Sequence, residues 1–203
     1  VIFLLVVMSA LMGILNSYRE ICKEREVLAR EVFGGLDVNA YALSKFVVLA
    51  VFGAGQTLIL FGGAALYVDF AFASPAAAYP LCWLALYLTN LATVAIGLFL
   101  SALLKRSESA ILPVLLIIIA CVVFSDCVLV LGGAAGYLRY ITPTAWGAAV
   151  LGKFTGLNGW YATFSRELYG CSPFLSLAVL AAETLLFLFA TIACLHWKFR
   201  KKD

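Results

Sequence analysis

Five apolar runs, Val1–Asn16, Phe46–Val68, Tyr79–Leu104, Ala110–Leu131 and Phe174–Trp197, decide what this chain can fold into. A helix rises 1.5 Å per residue, so about 20 residues cross a hydrocarbon core ~30 Å thick. Four of the runs have that length, and the other opens at residue 1. In lipid every backbone polar group must be satisfied within its own segment or a closed barrel. None of the runs alternates with the two-residue period of a barrel strand, so helices are expected. The composition fits a bilayer as solvent: 65% of residues are hydrophobic and 12% are charged, against about 25% charged in a soluble domain. The expected fold class is an all-α membrane protein, a polytopic bundle with five transmembrane helices.

The charges orient the bundle. Arg19, Lys23, Arg25, Arg30 and Lys45 follow the first run, Lys105 and Arg106 the third, and Lys198, Arg200, Lys201 and Lys202 the fifth. The alternate loops hold only Arg139, Lys153 and Arg166, and the loop at Asp69 holds none. Cytoplasmic loops carry the excess of Lys and Arg. The stretch after the first run, the Lys105 turn and the C-terminus are therefore expected in the cytoplasm, and Gly132–Pro173 outside. No basic stripe with interleaved aromatics is present, which argues against nucleic acid as a partner. No basic region precedes the first apolar run, so it does not read as a signal peptide. The chain reads as cut at its N-terminus.

One polar insert stands out: ICKEREVLAREVFGGLDVNAYALSK, Ile21–Lys45. From Glu24 to Leu36 apolar residues recur at helical spacing, with Leu28, Val32 and Leu36 on one row and Ala29 and Phe33 beside it. Glu26 and Arg30 stand four apart in the favourable order. Gly34 and Gly35 offer a helix stop. The insert reads as a short amphipathic helix that lies in the headgroup layer, docks on a cytosolic partner, or is an ordinary solvated segment. Glu24, Glu26 and Glu31 balance its cations, which disfavours a purely anionic-lipid anchor.

Other features carry less chemistry. Cys22, Cys82, Cys121, Cys127, Cys171 and Cys194 form no CxxC, and no zinc site is expected. Cys171 alone lies in a polar stretch, as an inert thiol or as half of an intersubunit disulfide. Gly147–Phe154, GAAVLGKF, nearly matches a phosphate-binding loop, but Phe154 replaces the hydroxyl that would bind Mg²⁺. Asp126 and Glu183 are acids inside apolar runs, where burying a charge costs about 2.5–3.5 kcal/mol. Each is a candidate for a substrate path or gate, or for structural hydrogen bonding within the bundle. Gly62-Gly63, Gly132-Gly133 and Gly136 permit close backbone approach. Trp146, Trp160, Tyr161 and Tyr169, with Tyr67 and Tyr79, suit an interfacial belt, and His196 beside Trp197 suits the inner boundary. Leu138–Gly156 is too apolar for a free loop. No clustered His, Ser–His pair or metal motif points to catalysis.

Three stretches together resemble a known family. Lys23-Glu24-Arg25, Arg30-Glu31, Gly35-Leu36, Ala40-Tyr41 and Leu43-Ser44-Lys45 resemble the first cytoplasmic loop of ABC-2 type transporter permeases of the ABCG-like class. Leu98–Ile117 resembles the turn between that domain's fourth and fifth spans, and Tyr137–Gly147 the external segment before its last span. The chain is most similar to bacterial members that carry forkhead-associated and ATPase domains ahead of the membrane domain. The resemblance implies a six-span domain of which the first span and an elbow helix are missing here. It implies that Glu24–Leu36 is a coupling helix on a nucleotide-binding domain, through Glu24, Arg25, Leu28, Arg30, Glu31, Val32, Phe33 and Gly35. It implies that residues 132–173 form re-entrant helices over the exit. ATP and Mg²⁺ would bind that other domain, with no cofactor on this chain. A homodimer in a bacterial inner membrane would move a hydrophobic or amphipathic substrate by alternating access. The path would run along Val1–Asn16 and Ala110–Leu131, including Phe124 and Asp126. Where the family commonly has a small residue after Phe-Ser, this chain has Asp126, which weakens that transfer. An ion-coupled carrier or channel using Asp126 and Glu183, or an anchor for a cytosolic signalling module, are the competing readings.

Overall fold

The computed structural model describes residues 1–68, 70, 72, 75–104, 110–125, 133–156 and 171–200. Among these no strand occurs, and the elements are helices. They are α1 (Ile2–Ser17), α2 (Glu20–Lys23), α3 (Arg25–Phe33), α4 (Val38–Tyr67), α5 (Pro75–Leu103), α6 (Ile111–Val123), α7 (Pro143–Phe154) and α8 (Pro173–Arg200). A 3-10 segment, Gly133–Ile141, leads into α7. Four stretches are long and apolar enough to cross a bilayer: Ile2–Lys23, Val38–Tyr67, Ala77–Leu103 and Pro173–Phe199.

The fourth apolar run behaves differently from the other three long ones. Its described helix, α6, has 13 residues, about 20 Å at 1.5 Å per residue, and turns at Phe124 and Ser125. The chain's next described helix folds back onto that end: Thr144 Oγ1 donates to the Cys121 carbonyl at 2.6 Å, and Thr142 Oγ1 to the Phe124 carbonyl at 3.2 Å. These hydroxyls bond carbonyls of the last turn of α6 and of its C-cap.

At the centre lies α5. Of its apolar window 72% is buried, against 17% for α4 and 28% for α8. It packs on α1, α4, α7 and α8. The outer faces of α4, α6 and α8 carry Val51, Phe52, Ile59, Leu112, Leu116, Leu185 and Phe189, all exposed. A soluble monomer rarely leaves so large an apolar surface uncovered; here it is the surface offered to lipid.

Small residues set the helix spacing, at places other than the glycine pair singled out in the sequence. A Cβ on Gly62 or Gly63 would meet nothing. A Cβ on Gly13 would overlap Thr93, on Gly53 it would overlap Asn90, on Gly97 Ser17, and on Gly147 Thr89. These contacts pull α1, α4 and α7 against α5. Buried polar groups stitch the same seam: Ser9 Oγ donates to the Leu86 carbonyl at 2.6 Å, and Asn90 Nδ2 to the Ser9 carbonyl at 2.9 Å.

One sequence expectation is corrected along α7. Trp146 is not in an interfacial belt: it is 7% exposed, and its Nε1 donates to the Tyr140 carbonyl at 2.9 Å. Being amphipathic, Trp is buried readily when its N–H finds a partner. The stretch resembling a phosphate loop is helical, and Gly147 through Gly152 are buried, so its backbone N–H groups are spent within the helix. Tyr67 and Tyr79 are exposed, as a boundary position requires. Trp160, Tyr161, Tyr169, Cys127 and Gly132 lie outside the described residues.

Candidate functional site

The polar insert folds as two short helices set across one end of the bundle. Glu24 is the C-cap of α2 and the N-cap of α3, so the helix expected from Glu24 begins one residue on, at Arg25, with a further short helix ahead of it. It stops where expected: Gly34 follows the last turn, and Gly35 has φ +99, the left-handed region that glycine enters freely. Asp37 then caps α4, its Oδ1 accepting from the Asn39 N–H at 2.9 Å.

Leu28 is 1% exposed. It sits in a cluster with Ile21, Val38, Ala42, Val94, Leu98 and Leu195, with Val32 packed at its edge. The apolar row of α3 therefore faces its own bundle. The opposite face presents Glu26, Val27, Arg30, Glu31 and Phe33, and Phe33 is 96% exposed. Leu36 and Gly35 are also exposed. Arg30 does not pair with the Glu26 carboxylate; its Nε donates to the Glu26 carbonyl at 3.4 Å. Of the residues grouped from the sequence, Leu28 and Val32 form the seat, while Arg30, Glu31 and Phe33 form the outward face.

Glu24 and Arg25 turn out to be struts. Glu24 accepts from Lys45 Nζ at 2.7 Å and from the Tyr41 hydroxyl at 3.0 Å, both on α4. Lys45 also lies 3.5 Å from Glu20, which holds Lys23 at 2.6 Å. Burial opposes ionisation of Glu24, but the hydrogen bonds from Lys45 and Tyr41 and the charges of Lys45 and Lys23 outweigh it. The carboxyl is held below its ordinary range.

The C-terminal end of α5 anchors the insert. Ser101 Oγ accepts the N–H groups of Ile21 and Cys22 at 3.0 and 2.9 Å. Arg25 Nη1 donates to the Leu104 carbonyl at 2.9 Å. From α8, Lys198 Nζ donates to the carbonyls of Ala102 and, at 2.6 Å, Leu103. Cations on the last carbonyls of a helix complement both its unpaired acceptors and its dipole. Nearby, His196 Nε2 lies 2.9 Å from Asn39 Oδ1. The stretch after the first apolar run, the end of the third and the end of the last thus meet at one end of the bundle.

The candidate path residues are not gathered in the same way. Phe124 caps α6 and is half-buried. Asp126 lies outside the described residues. Glu183 sits on α8, and its Oε2 is buried with no hydrogen-bond partner among the described residues. A narrow apolar crevice runs between α1 and α6, bounded by Ala10, Ile14, Thr93, Ile118, Cys121 and Thr144. Neither Phe124 nor Glu183 lines it. The sequence reading passed over Ser101 and Thr89. The signal was there: Thr89, Thr93, Gly97 and Ser101 recur every four residues along one row of an otherwise apolar span.

The fold and this basic end define an integral membrane protein built as a helix bundle. The ABC-2 type transporter family model matches residues 1–151, and the chain belongs to that family. No curated protein matches the chain. Membership makes the chain a transmembrane permease component of an ABC transporter, a class that associates with an ATP-binding domain and a second transmembrane unit.

Proposed function

We propose that this chain is the membrane half of an ATP-driven exporter that moves a hydrophobic or amphipathic molecule by alternating access between two copies. In this reading α3, within residues 24–36, is the coupling helix beneath the inner leaflet of a bacterial plasma membrane. The C-terminus is cytoplasmic, and residues 132–173 cover the external exit. ATP and Mg²⁺ bind the partner nucleotide-binding domain.

The single observation that carries the proposal is the division of α3 into two faces. Leu28 is sealed into the bundle while Phe33, five residues on, stands 96% exposed beside Arg30 and Glu31. A mixed apolar and charged face on a seated helix suits docking by a folded partner. A seated helix also moves as a unit and passes a displacement on. The crevice between α1 and α6 supports the assignment of those helices to the path. Phe124, Asp126 and Glu183 remain its candidate polar and aromatic groups.

The test is the double substitution Arg30→Ala with Glu31→Ala in the intact transporter. Transport is expected to fall at least tenfold while ATP hydrolysis persists. Undiminished transport would overturn the coupling role.

A further inference from the structure

We infer that α5 is the rod that carries the coupling stroke through the membrane to α7, with Ser101 and Arg25 as the positioning residues that latch the coupling segment to it. This rests on the reading of α3 as a coupling helix. Three observations lead to it.

First, the latch is made of hydrogen bonds to one helix end. Ser101 Oγ takes two backbone N–H groups of α2, and Leu104 takes the Arg25 guanidinium. Ser101 is buried, so water does not compete for those N–H groups. Any shift of α2 and α3 must break these bonds or move the end of α5.

Second, the far part of the same row meets α7. A Cβ on Gly147 would overlap Thr89 Oγ1, and Ala92 and Leu88 pack with Ala145, Trp146 and Ala149. Thr89 and Ser101 are 12 residues apart, about 18 Å along a helix. Between them Thr93 and Gly97 hold α1 at contact distance. Contacts at this density transmit displacement, because close-packed side chains leave no slack.

Third, a conduit through α4 is weaker. Glu24 ties the insert to α4 through Lys45 and Tyr41, but α4 packs on α5, α1 and α8 without extensive contact to α7. Its outer face packs against nothing else in this chain, so it has fewer contacts through which to pass a displacement.

The experiment is hydrogen-exchange mass spectrometry on the intact transporter, with its ATP-binding domain, in lipid nanodiscs. Exchange is compared between nucleotide-free and vanadate-trapped states. In the wild type both Arg25–Phe33 and Pro143–Phe154 are expected to change. With Ser101→Ala or Arg25→Gln, the nucleotide-dependent change in Arg25–Phe33 should remain and that in Pro143–Phe154 should fall at least twofold. Ser101→Thr, which keeps the acceptor oxygen, should restore it. Arg25 is only half-buried, so Arg25→Gln serves if Ser101→Ala does not fold. A wild-type-sized change in α7 after the latch is cut would overturn the inference, as would an unresponsive α7 beside a responsive α3. If α3 itself ignores nucleotide in the wild type, the coupling reading fails and this inference falls with it.

Discussion

The Arg25 guanidinium donates to the Leu104 carbonyl at 2.9 Å, joining the start of α3 to the end of α5 across 79 residues of sequence. Leu104 also receives the Cys22 thiol at 3.6 Å. One carbonyl at a helix C-terminus thus serves two donors from the insert. A charged donor to such a carbonyl contributes about 1 kcal/mol when partly exposed. Arg25→Gln keeps a hydrogen-bonding amide and removes the charge. It should lower stability by about 1 kcal/mol, read as a reduced midpoint in thermal unfolding of the purified protein. Arg25→Lys should recover part of the loss, since the cation returns without the planar fork.

Two glycines offer a direct comparison. A Cβ at Gly97 would overlap Ser17, so Gly97→Ala must push α1 away from α5. Overpacking of this kind costs about 1–3 kcal/mol. Gly62 has nothing near a Cβ, and Gly62→Ala gains helix propensity at no steric cost. Unfolding titrations in mixed micelles should show Gly97→Ala clearly destabilised and Gly62→Ala unchanged or slightly stabilised. Equal behaviour of the two would contradict the packing described.

The pair also marks what the sequence could and could not reveal. The apolar runs are legible because lipid demands them at a fixed length. Gly62-Gly63 looked like a packing site and is not one, since a glycine pair does not state which face of a helix has a neighbour. Leu28 and Phe33 lie on neighbouring apolar rows of the same segment. Only the seat among Val38, Val94 and Leu195 distinguishes inward from outward, and those residues are distant in sequence. Likewise Trp146 carries no local sign that Tyr140 would accept its N–H. Glu24 is grouped from the sequence with the partner contact, and only the fold brings Lys45 and Tyr41 beside it.

That strut titrates in a stated direction. Glu24 has its carboxyl held below the ordinary value of 4.5 in the folded protein. A depressed folded pKa stabilises fully above the unfolded pKa, and the contribution is lost as pH falls through the folded one. Wild type should therefore exceed Glu24→Gln in thermal midpoint at pH 7. The gap should narrow steadily as the pH is lowered beneath 4.5. A gap that is flat across this range would show that the carboxylate charge is not what holds α2 and α3 to α4.

The two faces of α3 give the sharpest contrast. Leu28 is 1% exposed and Phe33 is 96% exposed. Removing a buried leucine side chain costs about 2–4 kcal/mol, from lost transfer energy and the cavity left behind. Removing an exposed phenylalanine costs under about 0.5 kcal/mol. Leu28→Ala should thus destabilise the isolated membrane protein, with α3 amides exchanging faster as its seat loosens. Phe33→Ala should leave stability and α3 exchange unchanged. Under the proposed coupling role it should still weaken capture of the ATP-binding domain in a pull-down from detergent, by about tenfold for an apolar anchor worth about 1.4 kcal/mol. Unaltered capture by Phe33→Ala, together with a stable bundle, would mean that the exposed ring contributes nothing to the partner contact, and the outward face would lose its functional reading.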